Sequence, residues 1–351
     1  MNRLNYLRKE ARRMHILGHI VNSYVANAMP VSSGFVSRRM GGNVSSATVR
    51  NIMGELEEQG YIEQPHTSAG RIPTNSGYRL YVDMIRERVE LEKAEAVRLR
   101  AEYAERIRSI EEVVETTSRL ISRELHNAGI VMWPSLQDFN LKRIELVKVQ
   151  AETALAVLVT VTNAVKKHII SLDRDMEQAE LEKVANYINS NYEHVPFASI
   201  SERLNAALRE GEERGNVLSV AASALKIIDS VIDKDIVNDI YWEGLNYFMD
   251  EPDTHDNKLA YSILQLFSNR SELVRLLRTE LSSGGVQVHI GGEKGFSILR
   301  DCSMVTCGYE LHGRFAGRIG VIGPTRMDYE RALRVISCLS GLVNVKLEEL
   351  N

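Results

Sequence analysis

The first 85 or so residues of the chain carry a series of short sequence patterns that few folds can accommodate. Apolar residues recur with helical spacing over Leu17–Tyr24, and the segment Asn27–Pro30 breaks this first predicted helix. A short second helix is predicted from Ser32 or Ser33 to Met40, because serine suits the N-cap position and two glycines follow the helix. Two helices separated by a proline-containing turn therefore open the chain.

A third helix and a hairpin are predicted next. Ser45 suits the N-cap of this helix, and Val44 and Val49 hold the two positions of a hydrophobic staple. The segments Tyr61–Gln64 and Arg71–Thr74 have the pattern of short strands around a turn-rich connection. Three helices followed by such a hairpin have the order of a winged helix-turn-helix.

Charge is unevenly distributed along the chain. Its formal net charge of −4 argues by itself against a nucleic acid partner. Residues 1–88, however, contain twelve Arg and Lys against seven Asp and Glu, so that this segment is +5 and the remainder is −9. A basic N-terminal segment on an acidic body indicates a polyanion partner at one end of the molecule.

The third predicted helix presents small and polar residues on the face opposite its apolar stripe. In a major groove, Arg50 can donate two hydrogen bonds to guanine, and Asn51 can pair with adenine. Ser45 and Ser46 lie at the positive end of the helix and can meet a phosphate there. The sequence therefore predicts a DNA-reading helix.

The connection between the two predicted strands offers further polar groups. A wing of this kind contacts the DNA backbone or the minor groove, where the negative potential favours arginine. The alternative interpretation is a solvated helix face, a purely structural N-cap and a tight turn in which Ser and Thr bond their own backbone. The residues predicted to contact DNA are Ser45, Ser46, Ala47, Thr48, Arg50, Asn51, His66, Thr67, Ser68 and Arg71.

The remaining residues predict a mixed α+β body. A fourth helix capped by Asn75 or Ser76 leads into residues 86–127, which have the pattern of one long helix or a helix pair. The last helix is predicted with Thr325 as its N-cap and Asp328 in its first turn. Strand patterns occupy 141–149, 154–161, 165–172 and about 286–323, and helical patterns occupy 176–191, 199–211, 217–249, 256–282 and 328–347.

The sequence lacks the signatures of several other protein classes. Its three cysteines have no CxxC spacing, so we expect packing residues rather than disulfides or a zinc site. No Ser/His/Asp, Cys/His or paired-carboxylate pattern stands out, so neither an enzyme nor a cofactor or metal site is expected. No apolar run approaches the roughly 18 residues of a membrane span, and the N-terminus lacks a signal-peptide core. We therefore expect a cytoplasmic location and no membrane partner.

Seven segments match the pattern of one known family: Pro30–Ser33, Val44–Asn51, Gln64–Thr74, Gly77–Arg79, Gly291–Glu293, Asp301–Ser303 and Gly317–Tyr329. Together they resemble the HrcA family of heat-inducible transcription repressors, and the likeness extends to both ends of the chain. Between about 130 and 285 only the overall pattern is similar. Ser32 stands where that family usually has glycine, and Ile52 stands where it often has an acidic residue.

The resemblance implies a negative regulator of heat-shock chaperone operons that binds an inverted-repeat operator, CIRCE, and whose activity is modulated by the chaperonin GroEL. The implied partners are double-stranded DNA, a second copy of the chain and GroEL, since a palindromic operator matches a two-fold symmetric dimer. The implied α+β multidomain fold has a winged helix-turn-helix at 1–88, a helical linker and the first part of a GAF-like α/β domain at 89–140, an inserted dimerisation domain at 141–215 and the rest of the GAF-like domain at 216–351.

Two alternatives stay open. A GAF-like domain could bind a small molecule, which would make the chain a ligand-sensing repressor, although its glycine-rich strands offer few buried polar candidates. An enzyme with a DNA-binding appendage is less favoured, because no catalytic constellation accompanies the N-terminal motifs.

Overall fold

A computed structural model of the chain has a mixed α+β architecture, which confirms the predicted class. The structure describes residues 3–67, 69–86, 93–104, 107–133, 136, 139–161, 165–210, 216–237, 240–249, 257–280, 285–293, 299–311 and 314–350. The helices are α1 (Arg3–Asn27), α2 (Ser33–Arg39), α3 (Ser46–Glu58), α4 (Asn75–Ile85), α5 (Lys93–Ala104), α6 (Ile110–Leu125), α7 (Gln178–Tyr192), α8 (Phe197–Glu210), α9 (Asn216–Val237), α10 (Leu245–Met249), α11 (Asn257–Ser268), α12 (Arg270–Thr279) and α13 (Tyr329–Glu349). The strands are β1 (Ile62–Glu63), β2 (Ile72–Pro73), β3 (Ala128–Met132), β4 (Leu141–Gln150), β5 (Thr153–Thr160), β6 (Val165–Ser171), β7 (Ile240–Glu243), β8 (Val286–Ile290), β9 (Cys302–Leu311) and β10 (Arg314–Pro324).

The N-terminal unit consists of α1 to α4 and the antiparallel hairpin β1–β2. The apolar stripes of its helices meet in one core, in which Val49 and Leu56 are fully buried. Val31, in the turn before α2, pairs with Arg71 as an isolated antiparallel β-bridge. A third short extended segment therefore lies beside the hairpin. Ser32 is the N-cap of α2 with a φ of −90°, so this serine fits the turn without backbone strain.

A five-stranded antiparallel sheet forms the centre of the body, with its strands in the order β7-β3-β10-β9-β8. Helices α6 and α13 pack on one face of this sheet, and α11 and α12 pack on the other. Every residue of β3 is buried, because helices cover both faces.

Between β3 and β7 the chain forms a second unit, in which the sheet β4-β5-β6 packs against α7, α8 and α9 around its own core. The chain leaves and re-enters the central sheet on neighbouring strands, where Met132 pairs with Ile240. The sequence prediction ended this unit at residue 215, in the acidic segment before α9. The buried face of α9 belongs to the same core, however, so the packing continues beyond that point. The division of the chain into domains stays a prediction.

Two helix starts differ from the prediction by a few residues. Thr74, rather than Asn75 or Ser76, is the N-cap of α4, and its hydroxyl accepts a backbone N–H at 3.1 Å. Asp328, rather than Thr325, is the N-cap of α13, and its carboxylate accepts a backbone N–H at 2.9 Å. Several polar residues precede each helix, so the cap position depends on where the chain turns rather than on residue type.

Residues 86–127 contain a helix pair, which is one of the two predicted alternatives, but the strand β3 that follows it was not predicted. Two longer segments differ from the prediction. The helical pattern predicted over 217–249 is wrong at β7, whose four residues pair with β3. The pattern over 256–282 contains two helices, α11 and α12, separated at Asn269.

Candidate nucleic-acid interface

The exposed face of α3 carries the side chains that were predicted to read bases. Val49 and Ile52 face the core of the N-terminal unit, whereas Ala47, Arg50 and Asn51 are exposed. Within the described ranges, no acidic side chain forms an ion pair with Arg50. Its guanidinium group is therefore available to an external acceptor, and the small side chain of Ala47 leaves room for a close approach.

Hydroxyl groups fix the N-terminus of α3. Ser45 is the N-cap, as predicted; its Oγ accepts a hydrogen bond from the backbone N–H of Thr48 at 3.1 Å and lies 2.9 Å from Thr48 Oγ1. Ser46 Oγ lies 3.1 Å from Ser33 Oγ at the start of α2. The other backbone N–H groups of this first turn lie at the positive end of the helix dipole. Such a helix end is suited to a phosphate.

The tip of the hairpin also presents polar groups. His66 and Thr67 are exposed, and the predicted contact Ser68 lies outside the described residues. Gln64 Nε2 donates hydrogen bonds to the carbonyl oxygens of Thr67 at 2.9 Å and Ala69 at 3.0 Å. Gln64 therefore braces the tip from within, a role that the sequence analysis did not assign to it.

Arg71 is half-buried and connects the hairpin to α3. Its Nε donates to Glu57 Oε2 at 2.9 Å, and its Nη2 lies 2.8 Å from the same oxygen. The exposed residues of α3 and of the hairpin tip consequently belong to one packed unit. The positive charge of Arg71 is already compensated by Glu57, and its contact with DNA stays a prediction.

Two arginines at the end of α2 were missed by the sequence analysis. Arg38 and Arg39 are both exposed. A Cβ atom on Gly34 would lie 3.8 Å from Arg38 Nη1 and 4.0 Å from Ser46 Oγ, so the Arg38 guanidinium lies beside the N-terminus of α3. The Arg39 guanidinium lies 5.7 Å from the ring centroid of Phe35. Two consecutive arginines in a basic segment were the signal that could have identified this site.

The neighbouring surface of α1 adds to this positive charge. Burial lowers the pKa of His19, and the charges of His15 and Arg39 lower it further. His15 is itself exposed, so basic side chains from two helices lie close together. This cluster agrees with the net positive charge of residues 1–88.

We next consider candidate metal ligands and the buried thiol of Cys302. No group of three or more His, Cys, Asp or Glu among its described residues could hold a metal ion. Burial, together with the charge of Asp301, raises the pKa of Cys302 to about 12, so this thiol stays protonated and acts in packing. None of the described helices is long and apolar enough to cross a bilayer.

A groove of about 580 Å³ runs between α5 and α13. Its apolar wall includes Tyr103, Leu342 and Val345, and charged side chains at its rim include Arg100 and Lys346. The groove is open and lies beside the helices rather than in the central sheet. Ligand sensing by the body therefore stays an open alternative.

Comparison with known proteins identifies the relatives of the chain. The family model of the HrcA protein C-terminal domain matches residues 111–333. The heat-inducible transcription repressor HrcA of Syntrophobacter fumaroxidans is 36% identical over 340 residues, which cover 96% of this chain and 97% of the relative. The chain belongs to the HrcA family.

Further comparisons agree with this result over nearly the whole length of the chain. The heat-inducible transcription repressor HrcA of Brevibacillus brevis is 34% identical over 334 residues, which cover 94% of this chain and 95% of the relative. A crystal structure of a hypothetical protein has the same fold, with a TM-score of 0.64 at 22% identity over 97% of this chain and 99% of that one. The HrcA family consists of transcription repressors and not of enzymes, as the sequence predicted.

Proposed function

We propose that this HrcA-family chain represses heat-shock chaperone operons by binding the inverted-repeat operator CIRCE as a homodimer. The observation that carries the proposal is the exposed pair Arg50 and Asn51 on α3, beside a helix N-terminus fixed by Ser45. In this proposal residues 1–88 form a winged helix-turn-helix, α3 enters the major groove, and the hairpin β1–β2 is the wing.

Each group in this unit has a role that follows from its chemistry. Arg50 reads guanine through two hydrogen bonds and Asn51 reads adenine. The first-turn amides of α3 and the hydroxyl of Ser46 hold a phosphate. The wing, residues 66–71, contacts the DNA backbone or the minor groove.

The proposed dimer forms through the outer face of the sheet β4-β5-β6, whose inner face packs on helices. Val147 lies opposite Leu155, and Leu155 lies opposite Ile169, so an apolar stripe crosses all three strands. Ile169 is 63% exposed and Val147 45% exposed, and contiguous exposed apolar surface is typical of interfaces. In this proposal the inserted unit is the dimerisation domain. The GAF-like domain consists of residues 89–140 and the segment that follows the inserted unit.

In this proposal the chaperonin controls the amount of active repressor. As the family resemblance implies, GroEL keeps the chain competent to bind its operator. Heat-damaged proteins that occupy GroEL then leave less active repressor, and transcription of the chaperone operons rises.

A gel-shift titration tests operator binding. A duplex carrying CIRCE should be retarded at protein concentrations that leave a scrambled duplex of the same composition free, and the affinity should fall steeply with salt because phosphate contacts release counterions. Equal retardation of the two duplexes would overturn the proposal.

A second titration tests the chaperonin step. The fraction of protein that binds CIRCE at saturating duplex should rise when purified GroEL is added, and it should fall again when an unfolded protein is added to occupy GroEL. If the active fraction is the same with and without GroEL, the chaperonin has no part in the mechanism.

A further inference from the structure

Four of the segments that carry the family resemblance meet at one junction, although they are far apart in the sequence. Gly77–Arg79 lies in α4, Gly291–Glu293 follows β8, Asp301–Ser303 begins β9, and Gly317–Tyr329 runs through β10 into α13. The proposed contacts with DNA use none of these residues. Each of these segments contributes at least one residue to the contact between the N-terminal unit and the body, and we call this contact the α4–sheet junction.

Arg79 and Glu293 form the polar centre of the α4–sheet junction. Arg79 Nε lies 3.2 Å from Glu293 Oε1, and Arg79 Nη2 lies 2.5 Å from Oε2. The same Nη2 donates to the carbonyl oxygen of Val288 at 2.7 Å, and Glu293 Oε2 accepts the backbone N–H of Ile290 at 3.3 Å. The two side chains are only 27% and 24% exposed. A bidentate pair of this kind fixes direction as well as distance.

Aromatic packing supports the ion pair from the side of α13. The rings of Tyr78 and Tyr329 have their centroids 5.6 Å apart, and both side chains are buried. Tyr329 Oη lies 2.7 Å from Ser303 Oγ at the start of β9. The junction therefore joins α4 to two strands and one helix of the body.

Helix α1 of the N-terminal unit is also attached to the body. Arg326 Nη1 donates to the carbonyl oxygen of Val25 at 2.8 Å, and Tyr81 Oη donates to Asn22 Oδ1 at 2.7 Å. Both α1 and α4 are consequently attached to the same part of the body. Since α3 packs with them in one core, its direction relative to the body is fixed.

We propose that the α4–sheet junction, with Arg79 and Glu293 as its positioning residues, sets the separation and angle of the two α3 helices in the dimer. The repressor thereby selects operators by the spacing of their half-sites. This inference rests on the proposed operator binding. Two rigidly joined modules gain affinity only when their geometry matches the two sites, whereas loosely joined modules bind each site almost independently of spacing.

Binding to three duplexes distinguishes rigidly joined from loosely joined DNA-binding units. The duplexes are a single CIRCE half-site at low salt, CIRCE itself, and CIRCE with its half-sites moved apart by roughly five base pairs, half a helical turn. Arg79→Glu should leave half-site affinity unchanged, lower CIRCE affinity by about tenfold or more, and abolish the preference for the natural spacing. Glu293→Arg should act in the same way, and the double variant should regain the preference because it restores the ion pair with reversed charges.

Lys346→Glu serves as the matched control. It breaks the ion pair with Glu349 at the end of α13, away from both the junction and the inserted unit, and should keep both the affinity and the spacing preference. Half-site binding reports whether each variant still has a folded N-terminal unit. If Arg79→Glu loses half-site binding, Glu293→Gln, which keeps the size of the side chain, is compared on the same duplexes.

Retention of the spacing preference in a variant that binds the half-site normally would overturn the positioning role. A junction with a merely structural role would lower the amount of folded protein without changing the ratio between the two spacings. Failure of the unaltered chain to prefer CIRCE over scrambled DNA would overturn the proposed function instead, so the two failures are distinguishable.

Discussion

Arg50 and Arg71 carry the same charge in the same unit, but their surroundings give them different roles. Arg50 projects from α3 into solvent, whereas Arg71 is half-buried and bound to Glu57. Removal of the Arg50 side chain should therefore affect binding and hardly change folding. Removal of the Arg71 side chain should loosen the contact between hairpin and helix.

Arg50→Ala should relax base preference at one operator position in each half-site, at a cost of about 1–3 kcal/mol per contact, because the proposed bidentate contact with guanine would be lost. The measurement is a set of gel shifts on operators with single base-pair substitutions. A uniform loss of affinity for every sequence would instead make Arg50 a phosphate contact.

Gly70 lies where the hairpin passes closest to the chain before α2. A Cβ atom there would lie 2.4 Å from the carbonyl oxygen of Val31, so Gly70→Ala must push these backbones apart. We expect a loss of about 1–3 kcal/mol in the free energy of unfolding, measured by urea denaturation. The matched control is Gly54→Ala on α3, where a Cβ meets no atom within 4 Å and helix propensity predicts a gain of about 1 kcal/mol. Equal stability of the two variants would contradict this explanation.

At the scale of elements, a network of charges joins α5, α6 and α13. Glu124 in α6 is 7% exposed and lies 2.7 Å from Arg98, 2.8 Å from Arg123 and 3.2 Å from Arg331. Burial acts to raise the pKa of Glu124, but the hydrogen bonds and charges of Arg98 and Arg123 outweigh it and hold the pKa at about 2. The network therefore depends on an ionised Glu124.

The stability of the protein should consequently depend on pH through Glu124. Because its pKa is lower in the folded chain than in the unfolded one, its contribution is complete above about pH 4.5 and is lost as the pH falls toward about 2. Glu124→Gln should cost about 1–2 kcal/mol at pH 7, a modest value because the arginine partners are exposed and screened. Urea midpoints of both proteins at pH 7 and pH 3 check this, and a constant difference between them at the two pH values would contradict it.

The sequence predicted the elements that are determined locally. Apolar spacing and the Ser45 cap define α3, and both depend on residues within a few positions of one another. The strands β3 and β7 were missed because β3 is buried on both faces and so lacks alternation, while β7 has only four residues. Arg79 and Glu293 are 214 positions apart, so nothing in the local sequence indicates their pairing.

At the scale of the whole molecule, the apolar stripe on β4-β5-β6 should decide the oligomeric state. Ile169→Lys places a charge on the apolar stripe of the proposed interface and should convert the proposed dimer into monomers, as measured by sedimentation equilibrium. Val345→Lys is the control, since Val345 is 55% exposed on α13, away from this sheet. An Ile169→Lys protein that sediments as the unaltered dimer would exclude this face as the interface.

The place where the inserted unit joins the central sheet has a consequence for how such repressors can be altered. Since β3 and β7 are antiparallel neighbours, the inserted unit begins after the last residue of β3 and ends before the first residue of β7, and these two residues lie side by side. A tight hairpin turn could bridge Met132 and Ile240 without a change of strand register. If this unit is the dimerisation domain, as we propose, recombination or protein engineering could exchange it for another dimerisation domain, and the pairing of subunits could then evolve separately from DNA recognition.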